Sequence, residues 1–314
     1  MNFRQLPVLL RRELQEHRAA LLITPFVIIC FMTLVILVGL FLIEFGVDVR
    51  VSGDMRFEGD DGVVIEHLDG VPLGESFANY VLAFSHESSF ERQRKMTGIL
   101  AGAMSPLILT LWVVIFFYLL GALYDDRKDR SILFWKSMPV SDAMTIVSKL
   151  LTAVVVAPAI YLVSIVVVHV VFMLTLSVAV AGLPIEIWDT FWKPAGLVGK
   201  WMSLLAWFLF GALWCLQFYG CLLLVSSFAR SIPFVWAVGI PAGVVIVERI
   251  FTIDNVVGQW MGRHVFRTSY DDEQFFNVLD ALPLLASVEF VITLVVGGAL
   301  LYGAILMRGR GDEI

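Results

Sequence analysis

The sequence predicts an all-α polytopic membrane protein, and three observations lead to that prediction. Of the 314 residues, 59% are hydrophobic and 16% are charged, whereas an ordinary soluble domain is nearer half apolar and a quarter charged. The charges are confined to a few blocks, which leaves apolar runs long enough to cross the roughly 30 Å hydrocarbon core of a bilayer. These runs are continuous and do not show the roughly ten-residue alternating segments of a membrane β-barrel.

Six apolar runs predict six spanning helices within a single transmembrane domain, residues 1–314. The runs are 20–43, 99–123, 149–181, 200–225, 232–250 and 284–306. The third run is about 50 Å long at 1.5 Å per residue, so we expect it to tilt, to bend at Pro158 or to continue beyond the bilayer. Pro241 interrupts the fifth run, which leaves a broken or re-entrant element possible there.

The distribution of basic and acidic residues between the connecting segments predicts that both termini are cytoplasmic. In that orientation the inside segments hold more basic than acidic residues, and the outside segments hold nearly twice as many acidic as basic residues. Residues 1–19 should form an amphipathic elbow helix in the interface, its apolar side facing lipid, because apolar residues recur there every three or four positions. They are Phe3, Leu6, Leu10 and Leu14. The alternative is that residues 1–19 only fix the topology of the chain in the membrane by their positive charge.

Two long segments are predicted outside. Residues 44–98 are too long for a simple connector and combine a β-like alternation at 47–51, a turn-rich stretch at 58–62, an apolar triplet and a helix-compatible stretch after Pro72. We expect a small acidic cap there. Residues 251–283 mix aromatic and charged side chains, which suits short helices in the outer interface. Either segment could gate an exit or simply cover helix ends.

The chemical motifs of enzymes do not occur. The five histidines are scattered without metal-ligand spacing, and the three cysteines lie within apolar runs, as packing residues do. The stretch Gly196–Lys200 departs from a phosphate loop, because Pro194 stands where glycine is needed and Trp201 where serine or threonine is needed. We therefore expect no catalytic residue, no metal site, no cofactor on this chain and no nucleic-acid partner.

Polar groups within apolar runs are candidates for a transport pathway or for contacts between helices. They are His169, Gln217 and Glu289. Glu289 lies near the start of its run, so it could also reach the outer interface. The pairs Gly98/Gly102 and Gly239/Gly243 fit a GxxxG spacing, which favours close approach of helices.

The inside loop 124–148 is the most distinctive segment. An acidic and basic cluster is followed by two aromatic residues and then by a proline. Rigid aromatic anchors rimmed by charge are typical of docking surfaces, although an aromatic belt at the membrane interface would also contain them. Ser141 and Asp142 are suited to cap the next helix. The candidate interface residues are Asp125, Arg127, Phe134, Trp135, Lys136, Met138, Pro139, Val140 and Ser141.

The stretch SILFWKSMPVSDAMTIVSKLL at 131–151 resembles the cytoplasmic loop of permease subunits of type-2 ABC transporters. The six spans, the elbow and the large first outside loop match the same architecture over nearly the whole chain. The resemblance implies that Phe134–Ser141 belongs to a coupling helix that rests on a separate ATPase subunit, which holds ATP and Mg. It also implies a second permease subunit, identical or paralogous.

We therefore expect an ATP-driven exporter subunit in a bacterial or archaeal cytoplasmic membrane, which moves an amphipathic or hydrophobic cargo such as a lipid, peptide or drug. Hydrolysis would occur on the partner, so this chain would not itself be an enzyme. The alternative is an ATP-independent secondary transporter or channel, which usually places ionisable residues at mid-membrane. A membrane-embedded enzyme is a third option, but the sequence shows neither a nucleophile nor a base for it.

Overall fold

Six helices in the described part of the chain are long and apolar enough to cross a membrane, which confirms the predicted all-α polytopic fold. The computed structural model describes residues 5–45, 50–59, 62–129, 140–251, 258–260 and 283–310. We number the spans in chain order. Spans 1 to 6 are Ala19–Glu44, Ser89–Lys128, Asp142–Ala179, Trp188–Trp214, Pro233–Phe251 and Val288–Arg310.

Several spans consist of more than one helical element. The α-helices are Leu6–Glu16, Thr24–Glu44, Leu73–His86, Ser89–Gly121, Tyr124–Lys128, Asp142–Leu151, Ala157–Ala179, Lys193–Ala195, Leu197–Trp214, Leu216–Phe228, Pro233–Phe251 and Val288–Arg310. The π-helical turns are Ala19–Ile23, Thr152–Val156 and Trp188–Trp192. We call Leu6–Glu16 the elbow helix and Leu216–Phe228 the short helix. The predicted run 200–225 is thus interrupted at Cys215, where φ is −94° and ψ is 11°.

Each π-helical turn ends two residues before a proline. The prolines are Pro25, Pro158 and Pro194. A proline within a helix lacks an N–H group, and its ring clashes with the carbonyl four residues earlier. A wide turn at this point lets the helix continue past the proline. The long third span accommodates Pro158 in this way, and span 5 runs through Pro241 as one helix.

The helix bundle has two opposite ends, which we call the elbow face and the hairpin face. The elbow face holds the elbow helix, the start of span 3 and the ends of span 2, span 6 and the short helix. The hairpin face holds the segment between spans 1 and 2 and the connection between spans 3 and 4. Contacts between Glu13 and Lys149 and between Asp126 and Arg308 join the first and last parts of the described chain at the elbow face.

The predicted cap between spans 1 and 2 contains a β-hairpin and a helix. Strand β1, Arg50–Gly59, pairs antiparallel with strand β2, Gly62–Pro72, and the pairing shifts between Val51 and Gly53. The helix Leu73–His86 follows Pro72 directly, as expected. Span 2 then begins at Ser89 rather than at residue 99, because the Ser88 hydroxyl accepts a hydrogen bond from the Glu91 amide and caps a polar first part of the helix.

Two apolar clusters hold the helices together. The larger one contains side chains from all six spans and the short helix, and the smaller one lies at the hairpin face. Span 6 crosses the short helix at glycines. A Cβ atom on Gly297 would lie 2.9 Å from the Gln217 amide nitrogen, and one on Gly220 would lie 3.0 Å from the Gly297 carbonyl oxygen. Only residues without a side chain allow the backbones to approach so closely.

The GxxxG pairs do not perform this role within the chain. A Cβ atom on Gly98, Gly102, Gly239 or Gly243 would have no atom within 4 Å. The close approach expected from the GxxxG spacing is therefore wrong within this chain, and it occurs at two glycines that belong to different helices.

Candidate functional site

The segment that begins the predicted docking loop continues span 2 as a short helix, Tyr124–Lys128. The Ser226 hydroxyl anchors it by accepting hydrogen bonds from the amides of Leu123, at 2.9 Å, and Tyr124, at 3.0 Å. Ser226 is itself completely buried. The first turn of the loop is therefore fixed to the end of the short helix before the chain reaches residue 130.

Arg127 is one of the residues predicted for the partner interface, and its side chain is buried within the chain. Its guanidinium donates hydrogen bonds to the carbonyl oxygens of Ser226, at 2.9 Å, and Ala229, at 2.7 Å. These carbonyls lie at the C-terminal end of the short helix, where backbone acceptors are left without helical partners and a positive charge is favourable. Arg127 thus caps a helix of its own chain.

The other predicted loop residues fall into three groups. Asp125 is exposed at the elbow face. Val140 is half-buried, and Ser141 caps span 3 as expected, since its hydroxyl accepts a hydrogen bond from the Met144 amide at 3.3 Å. The remaining candidates lie outside the described residues. They are Phe134, Trp135, Lys136, Met138 and Pro139.

A buried cluster of charged side chains lies directly beside this segment. We call it the charge cluster, and it consists of Glu13, Asp126, Asp142, Lys149 and Arg308. The Lys149 ammonium lies 3.1 Å from Glu13 Oε1 and 3.6 Å from Asp126 Oδ2. Arg308 reaches Asp126 Oδ2 and Asp142 Oδ1, each at 3.1 Å. Every ion pair in the cluster therefore joins two different helices.

The cluster is shielded from solvent. The side chains of Glu13, Lys149 and Arg308 are 3%, 2% and 3% exposed, and Asp142 forms the open edge at 35%. A buried charge without a partner costs several kcal/mol, so these groups stabilise the fold only as a set. Tyr118 adds a further partner, because its hydroxyl donates a hydrogen bond to Glu13 Oε2 at 2.8 Å.

The cluster connects the elbow helix to three spans. Glu13 comes from the elbow helix, Asp126 from the end of span 2, and Arg308 from the end of span 6. Asp142 and Lys149 lie two helical turns apart at the start of span 3. A displacement of span 3 would therefore change ion pairs that involve all four elements, and a displacement of the elbow helix would change the pair between Glu13 and Lys149.

The sequence did not identify this cluster. Glu13 stands among charged residues of the elbow helix, but it is buried with Leu9, which is four residues earlier on the same face. One signal was available: Asp142 and Lys149 are seven residues apart, so they lie on one face of the helix together with Thr145 and Ile146. A charged stripe on a buried helix face requires partners from other helices.

The three polar candidates within the spans lie in different helices. His169 accepts a hydrogen bond at Nδ1 from the Trp201 indole, at 3.3 Å, and its Nε2 lies 3.0 Å from the Leu100 carbonyl oxygen. An indole N–H can only donate, so the His169 proton is on Nε2 and the ring is neutral. His169 thereby joins span 3 to spans 2 and 4, which is a contact between helices.

Gln217 and Glu289 occupy different environments. Gln217 is buried where span 6 crosses the short helix, and its Oε1 has no hydrogen-bond partner among the described residues. Glu289 is half-buried in the first turn of span 6, the position near the edge of the run that its sequence position predicts. Among the described residues, no group of three or more potential metal ligands occurs, and the cysteines are free.

Comparison with protein-family models, with curated proteins and with solved structures finds no significant match.

Proposed function

We propose that this chain is the membrane-spanning permease subunit of an ATP-driven exporter of the type-2 ABC transporter class. It would work with a separate ATPase subunit, which binds ATP and Mg, and with a second permease subunit. The cargo would be amphipathic or hydrophobic. The charge cluster is the observation that supports this proposal best, because it links the elbow helix to spans 2, 3 and 6 on either side of residues 129–141.

The physical argument concerns how force enters the helix bundle. A partner that pushes on the loop between spans 2 and 3 moves the ends of both spans. Ion pairs at these ends resist independent motion, since separating buried opposite charges is costly. The elbow helix and span 6 would therefore move with the loop. An ion-coupled carrier instead needs ionisable groups along its pathway, whereas the charge cluster lies at helix ends.

The proposed orientation places the elbow face and both termini in the cytoplasm of a bacterial or archaeal cell and the hairpin face outside. The excess of basic residues in the predicted inside segments supports it. With this orientation the loop, the elbow helix and the charge cluster all face the compartment that contains ATP. Hydrolysis would take place on the partner subunit.

The first experiment is affinity purification of the tagged chain from its native membrane in mild detergent. We expect an ATPase with Walker motifs to copurify in stoichiometric amount, identified by mass spectrometry. Consistent recovery of the intact chain without such an ATPase would contradict the proposal and would favour the self-contained transporter or channel.

A second measurement tests the loop. The double substitution Phe134→Ala/Trp135→Ala should reduce ATPase recovery or uncouple hydrolysis from transport, with membrane insertion unchanged. The matched control is Trp188→Ala, which removes an aromatic side chain that is 67% exposed at the hairpin face. If the double variant kept full ATPase binding and full transport, the loop would not be the coupling surface.

A further inference from the structure

A cavity between spans 2, 3 and 4 is not part of the charge cluster or of the predicted loop. Its floor consists of buried side chains from these spans and the short helix, namely Leu111, Ile115, Pro158, Phe208 and Tyr219. Its mouth consists of residues that are partly exposed, namely Trp112, Val154, Trp207, Gly211 and Ala212. The cavity therefore penetrates from the surface of the helix bundle into its core.

Local features of the helices explain why space remains there. Span 3 contributes the wide turn Thr152–Val156 and Pro158, where the regular helix is interrupted. Span 4 contributes Gly211 and Ala212, which are too small to fill the gap. A Cβ atom on Gly211 would have no atom within 4 Å. Wide turns of this kind often occur at functional sites.

The mouth opens on a surface that faces the bilayer. The residues of the mouth are themselves partly exposed and mostly apolar, and they include Trp112, Val154 and Trp207. All of them belong to membrane-spanning segments. The medium outside the mouth therefore consists of lipid chains.

The size and lining of the cavity define what it can hold. It has ≈ 360 Å³ of empty space when the open mouth is counted. Its lining is mostly apolar, and a stable water molecule needs about two to four polar partners. An apolar chain needs no such partners and therefore suits this lining.

We propose that this cavity is a binding site for one acyl chain of a bilayer lipid, which enters through the mouth between spans 3 and 4. A chain that enters from the bilayer gains close contacts with the packed side chains of the floor. The proposal concerns binding by the chain itself and does not depend on the proposed export function.

The test uses the purified full-length chain in nanodiscs that contain a phospholipid with a photoreactive diazirine on one acyl chain. After illumination, mass spectrometry locates the labelled residues. We expect label on Leu111 and Ile115, which lie on the buried floor and which lipids on the outer surface of the bundle cannot reach. Absence of label on these two residues would overturn the proposal, whatever the labelling of exposed residues.

Two variants fill the cavity and one matched variant does not. Gly211→Leu places a side chain in the open space at the mouth and should reduce floor labelling by about tenfold, equivalent to about 1.4 kcal/mol of binding free energy. Gly199→Leu makes the same change in the same helix, where a Cβ atom also has no atom within 4 Å but no cavity wall is altered. Its floor residues Leu111 and Ile115 should be labelled to the same extent as in the natural chain.

Ala212→Leu provides a second blocking variant in case Gly211→Leu does not fold. Native mass spectrometry after mild delipidation gives an independent readout. One phospholipid per chain should remain on the natural protein and on Gly199→Leu, and none on a folded blocking variant. Equal floor labelling or equal lipid retention in the blocking variants and Gly199→Leu would overturn the assignment of this cavity.

Discussion

The two ends of the helix bundle are held by different interactions. At the elbow face, the charge cluster joins the elbow helix to spans 2, 3 and 6 through ion pairs of 3.1 to 3.6 Å. At the hairpin face, apolar side chains from the helix Leu73–His86 and from spans 2, 3 and 4 form a separate core. Phe84 and Phe191 stack at its centre, with ring centroids 5.3 Å apart.

The difference indicates which end can change shape. Glu13 is shared between Tyr118 and Lys149, and Asp126 between Lys149 and Arg308. Shared charges tolerate a shift of the helices that they join, because each charge keeps a partner while these helices move together. Interdigitated apolar side chains cannot do this, because a small displacement opens voids or creates overlap. We therefore expect movement at the elbow face and a fixed hairpin face.

The largest effect is expected from removing the centre of the hairpin-face core. Phe84→Ala should lower the free energy of unfolding by about 4 kcal/mol, because it removes a buried ring and leaves a cavity. Denaturation in mixed micelles measures the change. Phe90→Ala is the control, since Phe90 is 67% exposed nearby. Equal losses in the two variants would show that this core does not hold the hairpin face together.

A somewhat smaller loss of stability is expected from a substitution at the elbow face, and a second substitution should recover much of it. Lys149→Met leaves Glu13 buried without its ammonium partner and should cost about 3 kcal/mol. Adding Glu13→Gln removes the unpaired charge and keeps a hydrogen-bond partner for Tyr118, so the double variant should recover much of the loss. A double-mutant cycle in the same micelles measures this coupling. Additive losses would mean that the two side chains do not act as a pair.

The spanning helices were predictable because their signal is local. A continuous apolar run long enough to cross a bilayer is visible in the sequence itself, and so is a cap such as Ser141. The proline in the third run also marked the place of an irregular turn. The exact helix ends were less visible, because the polar first part of span 2 is helical through its cap at Ser88 and not through hydrophobicity.

The charge cluster was not predictable because its signal is not local. Arg308 and Asp126 are 182 positions apart, and Tyr118 and Glu13 are 105 apart. A sequence shows which side chains are charged, but the partner of each depends on how the helices pack. The glycine contacts illustrate the same limit, since Gly220 and Gly297 lie in different helices and form no motif.

The smallest effect on the free energy of unfolding is expected from removing a lysine at the hairpin face. At the hairpin face Lys193 lies 3.4 Å from a carboxylate oxygen of Asp189, but these two side chains are 73% and 52% exposed, against 2% for Lys149. Water therefore solvates Asp189 once the ammonium is gone. Lys193→Met should cost less than about 1 kcal/mol, measured by denaturation in the same micelles as Lys149→Met. A loss as large as that of Lys149→Met would mean that burial does not distinguish the two ion pairs, and the elbow face would then have no special dependence on charge.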